Sequence, residues 1–193
     1  METNELLEIL VQAGKLKQAK RHCFVEKNRQ ESVADHSYRV ALMAFLLKNN
    51  FTDVDTSKVI EMCLIHDLGE SFTGDIPTFE KKQEDGKKES QLMVDWISTF
   101  SEPTRSQWLA LWQEMEAQVS LEAKLYKALD KCEAIISHNE SDLSTWLDLE
   151  YDLQYSYGKK EVAFSDFLVQ LHAAIDAWTT QKIQQGKKKT LDN

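Results

Sequence analysis

Apolar positions along the chain recur at three- and four-residue intervals, the spacing of a buried helix face, over most of its length. Leu6, Leu7, Ile9, Leu10 and Val11 cluster between Asn4 and Gly14 and predict a short amphipathic helix. Residues 15 to 31 are polar and basic without clear period, and are read as an irregular connection. Ser32 followed by Asp35 resembles a capping box, in which a hydroxyl and a carboxylate satisfy each other's backbone N–H groups, and it predicts a strongly apolar helix from Val33 to Lys48. Asp53 or Asp55 caps a third helix, about 56 to 68, which Gly69 and the turn Thr73-Gly-Asp-Ile-Pro77 bring to an end. The charged run within 79–90 is read as a solvated loop. A helix then carries Leu92, Met93, Trp96, Ile97 and Phe100, and another begins near Pro103 and carries Trp108, Leu111, Trp112 and Met115. Helices over about 120–139 and 165–183 follow, separated by a looser segment, 141–160.

The expected fold class is therefore all-α, a single bundle of about six to eight helices over residues 1–185. A basic, frayed and disordered tail, 186–193, completes the chain. Six Gly and two Pro in 193 residues are too few for a many-stranded β protein, and 42% apolar residues are too many for a disordered one. With 23 Lys plus Arg against 32 Asp plus Glu, the net charge of −9 repels nucleic acid, so a phosphate-bearing substrate has to be held by a local cation. The longest apolar run, Val40 to Leu47, falls far short of a bilayer span of about 20 residues. The acidic start is unlike an export signal, and Cys23, Cys63 and Cys132 form no Cys-x-x-Cys pair. The expected compartment is the cytoplasm.

Chemistry concentrates in Ile65-His-Asp-Leu-Gly-Glu70, where an imidazole and a carboxylate end an apolar helix. Burying such a pair is costly without a partner. His36 near the start of the second helix and Asp130 amid apolar helical neighbours complete a set of two nitrogens and two carboxylates from three helices. That set suits one divalent transition metal (Mn, Co, Fe, Ni or Zn) better than Mg, and leaves positions open for water and a substrate oxygen. Such a centre predicts hydrolysis. His138 and His172 are read as surface or core-edge residues, Asp35 as a helix-start acid or an orienting neighbour, and Trp96, Trp108 and Trp112 as core or dimer contacts.

The order His36, His66-Asp67, Asp130 resembles the motif of the HD-domain metal-dependent phosphohydrolases. The stretches Glu31-Ser-Val-Ala-Asp-His36, His66-Asp-Leu-Gly-Glu-Ser-Phe-Thr-Gly-Asp-Ile-Pro77 and Lys127-Ala-Leu-Asp130 resemble the small 5′-deoxynucleotidase branch. The resemblance spans about residues 16 to 140. It implies a homodimeric phosphomonoesterase that releases nucleoside and phosphate from nucleoside 5′-monophosphates. In it Glu70 is the acid/base, Asp75 is the carboxylate beside the sugar hydroxyls, and Arg21 and His22 lie at the substrate. Helical spacing also allows Glu70 to share a face with His66 and Asp67. In the bacterial branch a Trp follows the arginine and packs near the sugar; here it is His22, which leaves ribose against deoxyribose open. Two rivals stand beside this reading: hydrolysis of another phosphate ester, either a non-nucleotide monoester or a cyclic nucleotide, and a non-catalytic helical binding protein stapled by its ion.

Overall fold

The computed structural model describes residues 1–26 and 28–191, and side chains as far as residue 187. Among the described residues eight helices of nine or more residues form: α1 (Thr3–Gly14), α2 (Val33–Leu46), α3 (Thr56–Ile65), α5 (Gln83–Ile97), α6 (Thr104–Ala117), α7 (Leu121–Glu140), α8 (Asp148–Ser156) and α10 (Asp166–Leu191). Two single-turn helices, α4 (Glu70–Thr73) and α9 (Lys159–Val162), complete the helical set. Strands β1 (Lys20–Glu26) and β2 (Arg29–Ser32) pair as a small sheet. The all-α expectation holds. No helix is long and apolar enough to cross a membrane among the described residues.

The chain packs as two compact units, residues 1–22 with 31–126, and residues 23–30 with 127–193. In the first, α2 lies along α3, and Val33, Val40 and Ala44 are buried, as are Val59, Met62 and Cys63 of α3. Met93 and Ile97 of α5 with Trp112 and Met115 of α6 extend this core. Trp96, Phe100, Trp108 and Phe72 meet edge to face, centroids 5.0 to 6.2 Å apart, so these tryptophans are packing residues. In the second unit, Ala128, Leu129, Cys132 and Ile135 of α7 are buried, and Asn139 donates to Thr179 Oγ1 of α10 at 2.9 Å. Gly158, at φ +78°, joins α8 to α9; a Cβ there would lie 2.8 Å from that of Lys131, so the turn has no room for a side chain.

Capping fixes where α2 and α3 begin. Ser32 Oγ accepts from Asp35 N at 3.1 Å while Ser32 N donates to Asp35 Oδ2 at 3.0 Å, the expected reciprocal box. Asp55, not Asp53, caps α3, accepting from Ser57 N at 3.0 Å and Lys58 N at 3.2 Å.

Four expectations need correction. The segment 15–31 is a 3-10 turn followed by the hairpin, not irregular; only Cys23 of β1 is buried, so period-two alternation is nearly absent. The charged run is helical from Gln83, because Lys82 N donates to Asp85 Oδ2 at 2.8 Å and acids in the first turn complement the helix dipole. The looser segment contains α8. The last helix continues past 183 to Leu191, since glutamines and lysines are good helix formers and one glycine, Gly186, costs only about 1 kcal/mol. The backbone of the expected tail is thus helical through Leu191. Its final two residues, 192 and 193, like Lys27 of the basic connection, lie outside the described residues.

Candidate metal centre

The box at Ser32 sets the first turn of α2 and so the direction of His36, four residues on, whose side chain is fully buried. His66 follows the last residue of α3. Its Nδ1 lies 2.8 Å from the Cys63 carbonyl, which can only accept, so Nδ1 carries the proton and the Nε2 lone pair points away from the helix. That lone pair faces His36 Nε2 at 3.3 Å. Asp67 Oδ2 lies 3.1 Å from His66 Nε2 and 3.7 Å from His36 Nε2.

These three atoms define a triangle whose edges, 3.1, 3.3 and 3.7 Å, give a circumradius (product of edges over four times the area) of about 2.0 Å, the length of a metal–nitrogen or metal–oxygen bond. The three atoms are thus spaced for one cation. Tyr126 covers the His66 ring, centroids 6.2 Å apart.

Around the triangle, negative charge is in excess. Glu70 is buried, and its Oε2 makes no hydrogen bond. Burial first, then the charges of Asp67, Asp75 and Glu89, push its carboxyl up to about 10, against the pull of Arg21. Asp75 is raised too, chiefly by burial and partly offset by Arg21. Arg21 Nε donates to Glu31 Oε2 at 3.0 Å, and its Nη1 lies 3.8 Å from Asp67 Oδ2. Lys81 Nζ donates to Glu89 at 2.7 Å; burial pulls its ammonium down, but that bond and the charges of Glu89, Glu70 and Asp67 outweigh burial and raise it. Glu89 in turn packs against Gly69, where a Cβ would lie 2.6 Å from its Cγ. A cluster of buried and half-buried acids, with one orphaned oxygen on Glu70, is the environment a divalent cation would relieve.

The first unit therefore unites His36, His66 and Asp67, with Glu70, Asp75 and Arg21 coupled to them. His22 meets Phe79 edge to face at 5.7 Å. Asp130 belongs to the second unit, where it is buried and its Oδ2 lies 3.0 Å from Lys127 Nζ and 3.4 Å from Lys131 Nζ. His138 there pairs with Glu150 at 3.3 Å and His172 with Asp176 at 3.4 Å, both buried as core-edge residues. Sequence reasoning gave no role to Glu31, Lys81 or Glu89; the one available signal was a glutamate directly before the Ser32 cap.

Comparison with known proteins agrees with this geometry. The pattern of the HD domain family matches residues 13–172. The 5′-deoxynucleotidase HDDC2 of Homo sapiens is 36% identical over 150 residues, 76% of this chain and 70% of that protein. A Magnetospirillum magnetotacticum protein, described as a predicted metal-dependent phosphohydrolase, superposes with a TM-score of 0.75 at 23% identity, covering 95% of this chain and 93% of the other. An HD phosphohydrolase of cyanophage S-2L, solved with dA and one catalytic Zn²⁺, superposes at 0.56 and 21% identity, covering 96% and 98%. With a matched pattern that takes in both histidines, the adjoining aspartate and most of the helices, the chain belongs to the HD domain family.

Proposed function

We propose that this chain is a metal-dependent phosphomonoesterase that hydrolyses (deoxy)nucleoside 5′-monophosphates to nucleoside and phosphate. The observation that carries the reading is the triangle of His36, His66 and Asp67, sized for one divalent ion. The substrate class rests on the relatives, since the human protein at 36% identity is a 5′-deoxynucleotidase. Asp130 is the proposed fourth donor, from its place in the motif order. When bound, the ion acidifies water toward neutrality and offsets charge developing at phosphorus.

The chain's own residues supply the rest. Glu70, held protonated by its surroundings, hands its proton to the 5′ oxygen as the P–O bond breaks, while water delivers the new P–O bond. Arg21 is the proposed cation for the phosphate oxygens, through its guanidinium. Asp75 accepts from the sugar hydroxyls, and His22, set edge-on to Phe79, borders the sugar. The same reading takes the enzyme as a cytoplasmic homodimer. Its three cysteines are buried and none is in a disulfide, and α2 has an apolar outer face of Tyr38, Leu42 and Phe45.

The test is metal analysis of the purified protein, then phosphate release from a panel of ribo- and deoxyribonucleoside monophosphates with Mn²⁺, Co²⁺, Ni²⁺, Zn²⁺ and Mg²⁺. Stoichiometric metal with turnover of several nucleotides is expected. Metal without turnover of any phosphate ester would leave the ion as a helix staple and defeat the proposal.

A further inference from the structure

Between α4 and α5 the chain crosses residues 74–82, the stretch that carries Asp75, without forming helix or strand. Within it Glu80 N and Lys81 N both donate to the Pro77 carbonyl, at 2.8 and 2.9 Å, in a turn that spans 77–81 and so leaves Asp75 outside it. Lys81, at the far end of that turn, extends its ammonium to α5 and donates to Glu89 Oε2 at 2.7 Å. Glu89 is itself well seated: its side chain is 12% exposed, and its Cγ and Oε1 lie 2.6 and 3.1 Å from where a Cβ on Gly69 would stand. Gly69 directly precedes Glu70. One glutamate of α5 thus backs the turn that bears Glu70 and receives the end of the loop that bears Asp75.

We infer that Lys81 and Glu89 form a latch that positions the Asp75 loop for the sugar of the substrate. This rests on the proposed nucleotidase reading and deepens it, adding two positioning residues to nucleoside recognition. Three features of the structure support it. The contact is a short, charge-assisted bond whose acceptor is nearly buried, unlike an ion pair between two solvated side chains. Phe79, inside the latched turn, meets His22 edge to face at 5.7 Å, so the side of the site assigned to the sugar is built on this loop. Each partner of the latch also acts on a carboxylate of the site. Burial raises the Asp75 carboxyl, and Arg21 and Lys81 pull it back; burial, Asp67, Asp75 and Glu89 all raise that of Glu70.

A loop without regular structure has to be ordered when substrate binds, and that entropy is taken out of the binding energy unless the loop is held beforehand. The Lys81–Glu89 bond takes up this cost at folding. Its loss should therefore weaken the grip on the nucleoside half of the substrate and leave the phosphate half, which Asp75 does not hold, nearly as it was.

The experiment separates the two halves by using the two products as probes. Calorimetric titration of the full-length, metal-loaded protein measures the dissociation constants of inorganic phosphate and of the common ribo- and 2′-deoxyribonucleosides, and the tightest-binding nucleoside is carried forward. Wild type is compared with Lys81→Met, Lys81→Arg and Glu89→Gln, and Lys81→Met is also made in an Asp75→Asn background, with folding checked by circular dichroism. Nucleoside binding should weaken about three- to ten-fold in Lys81→Met and less in Glu89→Gln, which keeps an acceptor oxygen and the stem against Gly69. Lys81→Arg, which keeps a donor within reach, should recover most of the loss. The phosphate constant should move less than about two-fold in every variant, and in turnover Lys81→Met should raise KM more than it lowers kcat. In the Asp75→Asn background Lys81→Met should cost at most about two-fold more. An unchanged nucleoside constant in folded Lys81→Met, an equal loss of phosphate affinity, or the same full loss again without Asp75 would overturn the inference. A wild-type protein that binds phosphate but none of the nucleosides would instead refute the underlying nucleotidase reading.

Discussion

Replacing Glu70 with glutamine should stabilise the metal-free protein, by an amount that grows with pH. The carboxyl has an ordinary value of 4.5 in the unfolded chain and is pushed up to about 10 in the native one, where burial and the charges of Asp67, Asp75 and Glu89 oppose its ionisation. Between those values the unfolded chain gives up the proton and the native protein keeps it, so the unfolded state binds fewer protons and native stability falls as pH rises. Each pH unit above 4.5 costs about 1.4 kcal/mol, which at pH 7 amounts to roughly 3 kcal/mol. Glutamine cannot ionise and escapes the penalty. Denaturant or thermal unfolding of metal-stripped wild type and Glu70→Gln, from pH 5 to 8.5, should show the curves nearly meeting at the acid end and separating upward. The difference in Tm at pH 7 should be on the order of 5–10 °C. A gap that stays flat with pH, or a variant less stable than wild type throughout, would show that Glu70 is not held protonated and would remove the basis for its role as the acid.

Other outcomes follow from the same geometry. With metal restored, Glu70→Gln should retain bound metal, measured by plasma emission spectrometry, and lose at least about 100-fold in kcat, the usual weight of general acid catalysis. His36→Ala and Asp67→Ala should each lose the metal itself, together with turnover, because each removes one corner of the triangle; full metal occupancy in either variant would disprove the donor set. Cys132, whose thiol is pushed up to about 12 by burial and by the charges of Asp130 and Asp176, should resist iodoacetamide at pH 8 in the folded protein and react only on unfolding. Gly69→Ala should destabilise the protein by about 1–3 kcal/mol in urea unfolding, since the new methyl would meet Glu89 Cγ at 2.6 Å and displace it.

The candidate metal donors of the first unit were legible because polar residues stand out against an apolar helix. His36 and His66-Asp67 interrupt otherwise hydrophobic periods, and an unexplained imidazole–carboxylate pair at a helix end calls for a partner. The Ser32 box was legible for a similar reason, as its two residues carry their mechanism in their spacing. Glu31 was not, because nothing in a glutamate's sequence position says that it will be buried; only the pairing of β1 with β2 brings it to Arg21. The hairpin itself left little trace, since strand β1 buries Cys23 alone and so shows no alternation to read. The opening turns of α5 were hidden in the opposite way. Their stability comes from capping and helix-favouring charged residues, which leave no hydrophobic period behind.

Six consecutive residues, Glu31 to His36, hold the acceptor of the Arg21 Nε–H, both halves of the helix cap and one candidate donor nitrogen. Adding or removing a single residue inside that hexapeptide would swing the imidazole about 100° around the helix axis and detach that acceptor in the same stroke. Redesign of this catalyst therefore has to carry the hexapeptide across intact, as a cassette, while the outward-facing turns of α2 beyond it stay open to revision.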